Sequence, residues 1–190
     1  MFGLDGGGRR RPPQQKRDPL CRWFPFHSHL ELSLVPPTAH EQFIKQAISL
    51  ALRARDEGNH PFGALLVLDG EVVLTAMNSV NTDRDPTGHA ETNLVARAVR
   101  ELLPDQIRRA SLYTSCEPCA MCVGKMYWAG IRSVVYALAA EDLAVLAGPD
   151  FLVPCRELFS RATDPVTVIG PILSDEARAV HVDFWSQPAA

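Results

Sequence analysis

Residues 113–130 read YTSCEPCAMCVGKMYWAG. An apolar strand, ASLYTS, runs into three closely spaced cysteines, Cys116, Cys119 and Cys122, and the spacing predicts a helix over 118–129 with Pro118 in its first turn. Cys119 and Cys122 form a C-x-x-C at the helix start, where exposed backbone N–H groups and the helix dipole favour thiolate over thiol. Three readings of the pair are open here. They are two half-buried helical cysteines, a redox couple, or two ligands of a metal that needs at least one more.

The rest of the composition narrows the setting. A chain of 190 residues, 46% hydrophobic and 22% charged, is large enough for one core without covalent staples. It has no apolar run of about 18 residues, so no membrane span is expected, and no apolar leader follows the N-terminus. Five cysteines, three of them too close together to cross-link a fold, suit a reduced, cytoplasmic protein in which clustered cysteines serve a metal or catalysis.

Residues 1–37 hold six Lys/Arg and six prolines against three acids, and read as a disordered, basic, Pro-rich extension. The remainder, 38–190, carries 13 basic and 19 acidic residues. Such an acidic body lacks the basic footprint of a nucleic-acid binder, so nucleic acid is not an expected partner.

From Thr38 the pattern alternates. A capping box at Thr38 and Glu41 opens a helix over about 40–57, which Gly58 and Asn59 end. Two strands follow in FGALLVLDGEVVLTAM, joined by Asp69-Gly70, a hairpin signal. A polar loop leads to a second helix over about 89–102. After ASLYTS and the cysteine-bearing helix come the strand SVVYAL, a helical 141–147, an ambiguous 149–163, the strand PVTVIG, and a helix capped by Ser174 that runs to about Trp185. This order predicts an α/β layered domain whose later strands are parallel, because helical crossovers join them.

The missing metal ligand is offered by DPTGHAETN. His89 opens the second helix, and Glu91 follows two residues later. HAE at 89–91 and PCAMC at 118–122 together match H-x-E…P-C-x-x-C, with His89 and Cys119 separated by 30 residues and a strand between them. This pattern resembles the signature of zinc-dependent base deaminases. His89, Cys119 and Cys122 as ligands leave the fourth tetrahedral position of Zn2+ to a water, whose pKa falls from about 15.7 to about 7. Glu91 is then the proton shuttle from that water to a ring nitrogen and to the departing amine. Cys116 lies outside the ligand set, and Cys21 and Cys155 belong to no motif.

Residues 40–185 resemble the cytidine-deaminase-like superfamily, and within it the branch of bacterial guanine deaminases, tRNA adenosine deaminases and fungal cytosine deaminase. The resemblance implies a three-layer α/β/α fold with a five-stranded mixed sheet, a homodimer and one zinc per subunit. It implies that Asn78, eleven residues before His89, hydrogen-bonds the base, although a turn residue closing a strand fits the same position. It puts Phe62, in PFGA, against the base, where a core ring is the alternative. The backbone N–H groups of Ala90 and Cys119 would face the reacting atoms.

Phe62 and Trp128 resemble guanine deaminases more than tRNA adenosine deaminases, and Asp150 falls where guanine deaminases place a second acid. Against this, GPILSDEARAVHVDFW resembles the terminal helix of tRNA adenosine deaminases, without the basic residues that serve RNA. The expected activity is hydrolytic deamination of a small base or nucleoside, guanine or a related aminopurine first. Cytosine-type substrates come next, then tRNA adenosine. A catalytically silent binding module and a thiol–disulfide oxidoreductase are the readings from other classes.

Overall fold

The structure, a computed structural model, describes residues 37–148 and 151–185. Asp150 and residues 1–36 of the extension expected over 1–37 lie outside the described residues, while Pro37 is the first residue of a helix. Helix α1 (Pro37–Asp56) leads into the hairpin β1 (Gly63–Leu68) and β2 (Glu71–Met77). Next come α2 (Val80–Asp83), α3 (Ala90–Glu101), α4 (Pro104–Arg109), β3 (Ser111–Cys116) and α5 (Ala120–Ala129). The chain continues through β4 (Ser133–Leu138), α6 (Ala140–Ala147), α7 (Cys155–Ser160), β5 (Thr167–Ile169) and α8 (Ser174–His181).

One mixed sheet of five strands, in the order β2-β1-β3-β4-β5, forms the middle layer. β1 is antiparallel to both β2 and β3, whereas β3, β4 and β5 run parallel. Side chains alternate across the sheet, as the two-residue strand period requires. Leu65, Val67, Tyr113, Val135 and Ala137 pack with Ile44, Ala47 and Ala51 of α1 and Val180 of α8. Ala64, Leu66, Leu112, Val134 and Tyr136 pack with Leu94 and Ala98 of α3, Val123 and Met126 of α5, and Phe159 of α7. The layers are therefore α/β/α, with each face burying its own core.

Two glycines are required by local geometry. Gly70 and Asp69 both have positive φ, at 85° and 53°, as a tight hairpin turn demands. At Gly63 a Cβ would come within 2.6 Å of the Ala47 carbonyl oxygen, so α1 can lie on the start of β1 only with no side chain there.

Element starts and ends depart from the sequence reading in several places. α1 begins at Pro37, so Thr38 lies inside the helix and not at its cap. The polar loop contains the short α2, and α4 occupies a stretch with too few apolar residues to show a period. α5 starts at Ala120 with Cys119 as its N-cap, leaving Pro118 ahead of the helix and not in its first turn. Within the ambiguous 149–163, Cys155–Ser160 form α7. Leu173, in the left-handed region, is the N-cap of α8; Ser174 is the first helical residue and donates instead to Ala137 O at 3.2 Å. α8 stops at His181, with Val182 as its C-cap, and not near Trp185.

Candidate active site

Two helix starts carry the motif residues. β3 ends at Cys116, and the turn through Glu117 and Pro118 delivers Cys119 as the N-cap of α5. His89 is the N-cap of α3. Neither side chain bonds back to cap its own helix, so both reach out from the helix starts. Cys122 lies in the first turn of α5, turned inward and 1% exposed.

The three side chains converge. Cys119 Sγ and Cys122 Sγ lie 3.7 and 3.6 Å from His89 Nδ1, and 3.7 Å from each other. A tetrahedral zinc with bonds of about 2.3 Å to sulfur and about 2.0–2.1 Å to nitrogen needs ligand–ligand edges of roughly 3.5–3.8 Å. All three edges have that length, and 3.7 Å is far beyond the roughly 2.05 Å of a disulfide. The contact with Cys122, and then that with His89, lowers the Cys119 pKa and favours its thiolate. One imidazole and two sulfurs are a borderline-soft donor set suited to zinc. The residues fit the ion.

Glu91, one residue into α3, is 5% exposed. Burial raises its pKa above the ordinary carboxylate range, while a hydrogen bond from Thr114 pulls the other way. Thr114 Oγ1 donates to Oε1 at 2.7 Å, and Oε2 lies 3.5 Å from Cys122 Sγ. The carboxyl thus sits at the edge of the ligand triad, with one oxygen restrained.

Asn78 closes the hairpin as a turn residue and is also buried, at 2% exposure. Its N–H donates to Phe62 O, and its Oδ1 accepts from Val80 N at 3.1 Å. Its Nδ2 is buried with no hydrogen-bond partner among the described residues. That orphaned donor is the kind of group a bound ligand satisfies. Phe62 packs against both cores and its ring lies 5.2 Å from that of His181. Ala90 is buried as the first residue of α3, where a helix leaves N–H groups without internal acceptors. Trp128 is not brought into this group. It lies on the outward face of α5, 85% exposed, edge-on to Tyr127.

Sequence reasoning passed over the residues that hold the site together. Thr114 shares a face of β3 with Leu112, but Ser111 and Ser115 make the same strand polar elsewhere, so no local pattern marked it out. Asn93, two residues after Glu91, donates to Met77 O and Ser79 Oγ on either side of Asn78. Asn59 Oδ1 accepts from the backbone N–H groups of Asn81 and Thr82. Ser115 Oγ accepts from Gly63 N, tying β1 to β3 beside the site.

Comparison with known proteins agrees with this geometry. The model of the cytidine and deoxycytidylate deaminase zinc-binding region matches residues 37–138. A protein of Schizosaccharomyces pombe named "Probable cytosine deaminase" is 36% identical over 151 residues, 75% of this chain and 90% of that one. The guanine deaminase of Bacillus subtilis is 43% identical over 106 residues, 55% of this chain and 68% of its own length. The tRNA-specific adenosine deaminase of Aquifex aeolicus is 37% identical over 97 residues, 51% of this chain and 64% of its own. The crystal structure of the B. subtilis guanine deaminase superposes with a TM-score of 0.54 at 31% identity, covering 79% of this chain and 98% of that one. That of a Nitrosomonas europaea guanine deaminase superposes at 0.66 and 22% identity, a likeness of fold, over 84% of this chain and all of the other. With three layers, a five-stranded mixed sheet and a donor set that fits zinc, the chain belongs to the cytidine and deoxycytidylate deaminase zinc-binding family, hydrolases that use zinc to deaminate.

Proposed function

We propose that the protein hydrolytically deaminates a small free nucleobase or nucleoside, with guanine or a related aminopurine as the leading substrate. The observation that carries this reading is the orphaned Nδ2 of Asn78. A buried amide donor whose own oxygen is already occupied is set to meet one acceptor on a flat, polar ring. Asn93 braces its neighbours from the same turn of α3 that carries Glu91. The match to the B. subtilis guanine deaminase supports a purine.

In this reading His89, Cys119 and Cys122 hold zinc. When bound, the ion supplies Lewis-acid chemistry and brings the pKa of a water to about 7. Glu91 moves the protons. Its buried carboxylate takes one from the attacking water, passes it to the ring nitrogen beside the amine-bearing carbon, and serves again as the amine leaves as ammonia. Thr114 keeps Oε1 fixed, so Oε2 is the oxygen that exchanges protons. Phe62 orients the ring, and the N–H groups of Ala90 and Cys119 donate to it.

One observation favours a second reading. The S. pombe relative named as a cytosine deaminase aligns over nine-tenths of its length, so a pyrimidine is the next candidate. tRNA adenosine comes third, because the acidic body offers little to a phosphate backbone. A homodimer, a cytoplasmic setting, a domain beginning at residue 38 and a contact from Asp150 belong to the same proposal; Trp128, turned outward on α5, does not.

Ammonia release by zinc-loaded protein tests it, with guanine, guanosine, adenine, adenosine, cytosine and cytidine as substrates and Glu91→Ala as blank. Turnover of guanine is expected. Turnover of a pyrimidine alone would keep the chemistry and overturn the substrate, and silence across the panel would overturn both.

A further inference from the structure

Glu117 has no part in the chemistry above, yet its carboxylate holds two helix starts at once. Oε2 accepts from Ala140 N at 3.0 Å and Oε1 from Cys155 N at 2.8 Å. Ala140 is the first residue of α6 and Cys155 the first of α7. The residues ahead of them, Ala139 and Pro154, have no side-chain acceptor with which to cap. One carboxylate from elsewhere in the chain therefore does what two N-caps would do. Bonds from backbone N–H to an ionised carboxylate are stronger than neutral ones, and both helix dipoles favour the charge. The backbone N–H of Glu117 also donates to Leu138 O at the end of β4, at 2.8 Å.

The position of Glu117 in the sequence gives the clamp its meaning. It lies in the turn between β3 and α5, two residues before Cys119, so whatever fixes Glu117 fixes the turn that delivers Cys119. We propose that Glu117 is a positioning residue of the metal centre. By clamping α6 and α7 it sets where the Cys119 sulfur and backbone N–H stand. The proposal rests on the zinc reading of His89, Cys119 and Cys122, and not on the identity of the substrate.

The test compares Glu117→Gln with Leu143→Ala. Glutamine keeps the shape of glutamate but offers one acceptor oxygen and an N–H2 group, so it can serve only one of the two helix starts. Leu143 belongs to α6 and packs against the core on the α1 side of the sheet; its loss loosens α6 without touching Glu117. The readout is the rate of zinc transfer from the holoprotein to an excess of a colorimetric chelator, with melting temperature followed in parallel. Glu117→Gln is expected to give up zinc about tenfold faster or more, the scale typical of residues that orient metal ligands. Leu143→Ala should stay within about twofold of wild type even at an equal loss of melting temperature.

A wild-type transfer rate in Glu117→Gln, or an equal acceleration in Leu143→Ala, would reduce Glu117 to a helix cap and overturn the proposal. With guanine as substrate, a lower kcat at unchanged KM is the second expected result. A rise in KM alone would place Glu117 in substrate binding and also overturn it. If wild-type protein leaves guanine untouched, the substrate reading fails, and the zinc-transfer comparison still decides the role of Glu117.

Discussion

Thr114 Oγ1 donates a 2.7 Å hydrogen bond to Glu91 Oε1, so a hydroxyl on the central strand restrains one oxygen of the site's buried carboxylate. The other oxygen remains 3.5 Å from Cys122 Sγ. Thr114 is itself fully buried, and its neighbours on that strand, Tyr113 and Ser115, are buried too. The strand therefore presents the hydroxyl on rigid backbone, which is what precise placing of a proton-transfer group needs.

Replacing Glu91 by alanine should leave zinc bound and abolish turnover. General acid–base groups contribute roughly 10²- to 10⁴-fold, so the loss expected is at least about a hundredfold. Metal content by elemental analysis and ammonia release on the same sample check it. Near-normal turnover in the alanine variant would remove Glu91 from the chemistry.

Thr114→Val keeps the shape and deletes the bond. Burial raises the Glu91 pKa, and that bond is the foremost of the influences that pull it back down, so its loss should raise the pKa further. Activity that needs the ionised carboxylate then fails at a higher pH on the acid side. The expected result is an acid limb of the kcat/KM profile displaced upward, with little change above neutrality. An unmoved limb would show that Thr114 does not tune Glu91.

Cys119→Ala should lose zinc and lower the melting temperature, because a ligand bound only by the folded state stabilises it. Cys116→Ala should keep zinc. Cys116 is buried, and burial first, then Glu91, pushes its thiol well above the usual range, away from the thiolate a metal takes. Zinc stoichiometry of the two variants separates the roles, and equal loss in both would put Cys116 in the ligand set.

His181 makes the fold sensitive to acid. It is 1% exposed, with Nδ1 accepting from Trp185 Nε1 and Arg55 donating to the nearby Val180 carbonyl. Burial, and then the Arg55 charge, lower its pKa from 6.5 to about 4. Between those values the unfolded chain holds more protons than the folded one, so stability rises with pH across the window. It is complete above about 6.5 and lost towards 4, by at most about 3 kcal/mol. Melting temperatures of wild type and His181→Phe, at pH 7 and pH 5, should show a smaller drop in the variant. Zinc-linked loss is common to both and cancels in the comparison. Equal drops would mean that His181 is not held neutral by the fold.

Most of the layered fold was legible in the chain itself. The apolar faces of α1 and α3, the Asp69-Gly70 turn and the short apolar strands are periodic or local signals, and periodicity does not depend on tertiary contacts. The zinc residues were legible for the same reason. His89, Cys119 and Cys122 each sit at or just inside a helix start, and helix starts are marked in sequence. The ends of elements were less legible, because the left-handed backbone of Leu173 ahead of α8 and the start of α5 at Cys119 follow from how the chain turns in space and not from the residues nearby.

What the sequence determined by itself was an α/β domain with one imidazole, two thiols and a carboxylate at two helix starts. The tertiary structure alone decided what surrounds them. Thr114 reaches Glu91 across 23 positions in the chain, and Glu117 reaches Ala140 and Cys155 across 23 and 38. Trp128, promising as a pocket residue, points outward because α5 buries Val123 and Met126 instead. Local patterns report which face of an element is apolar. Only the packing of one element on another determines which polar group meets which, and at what distance.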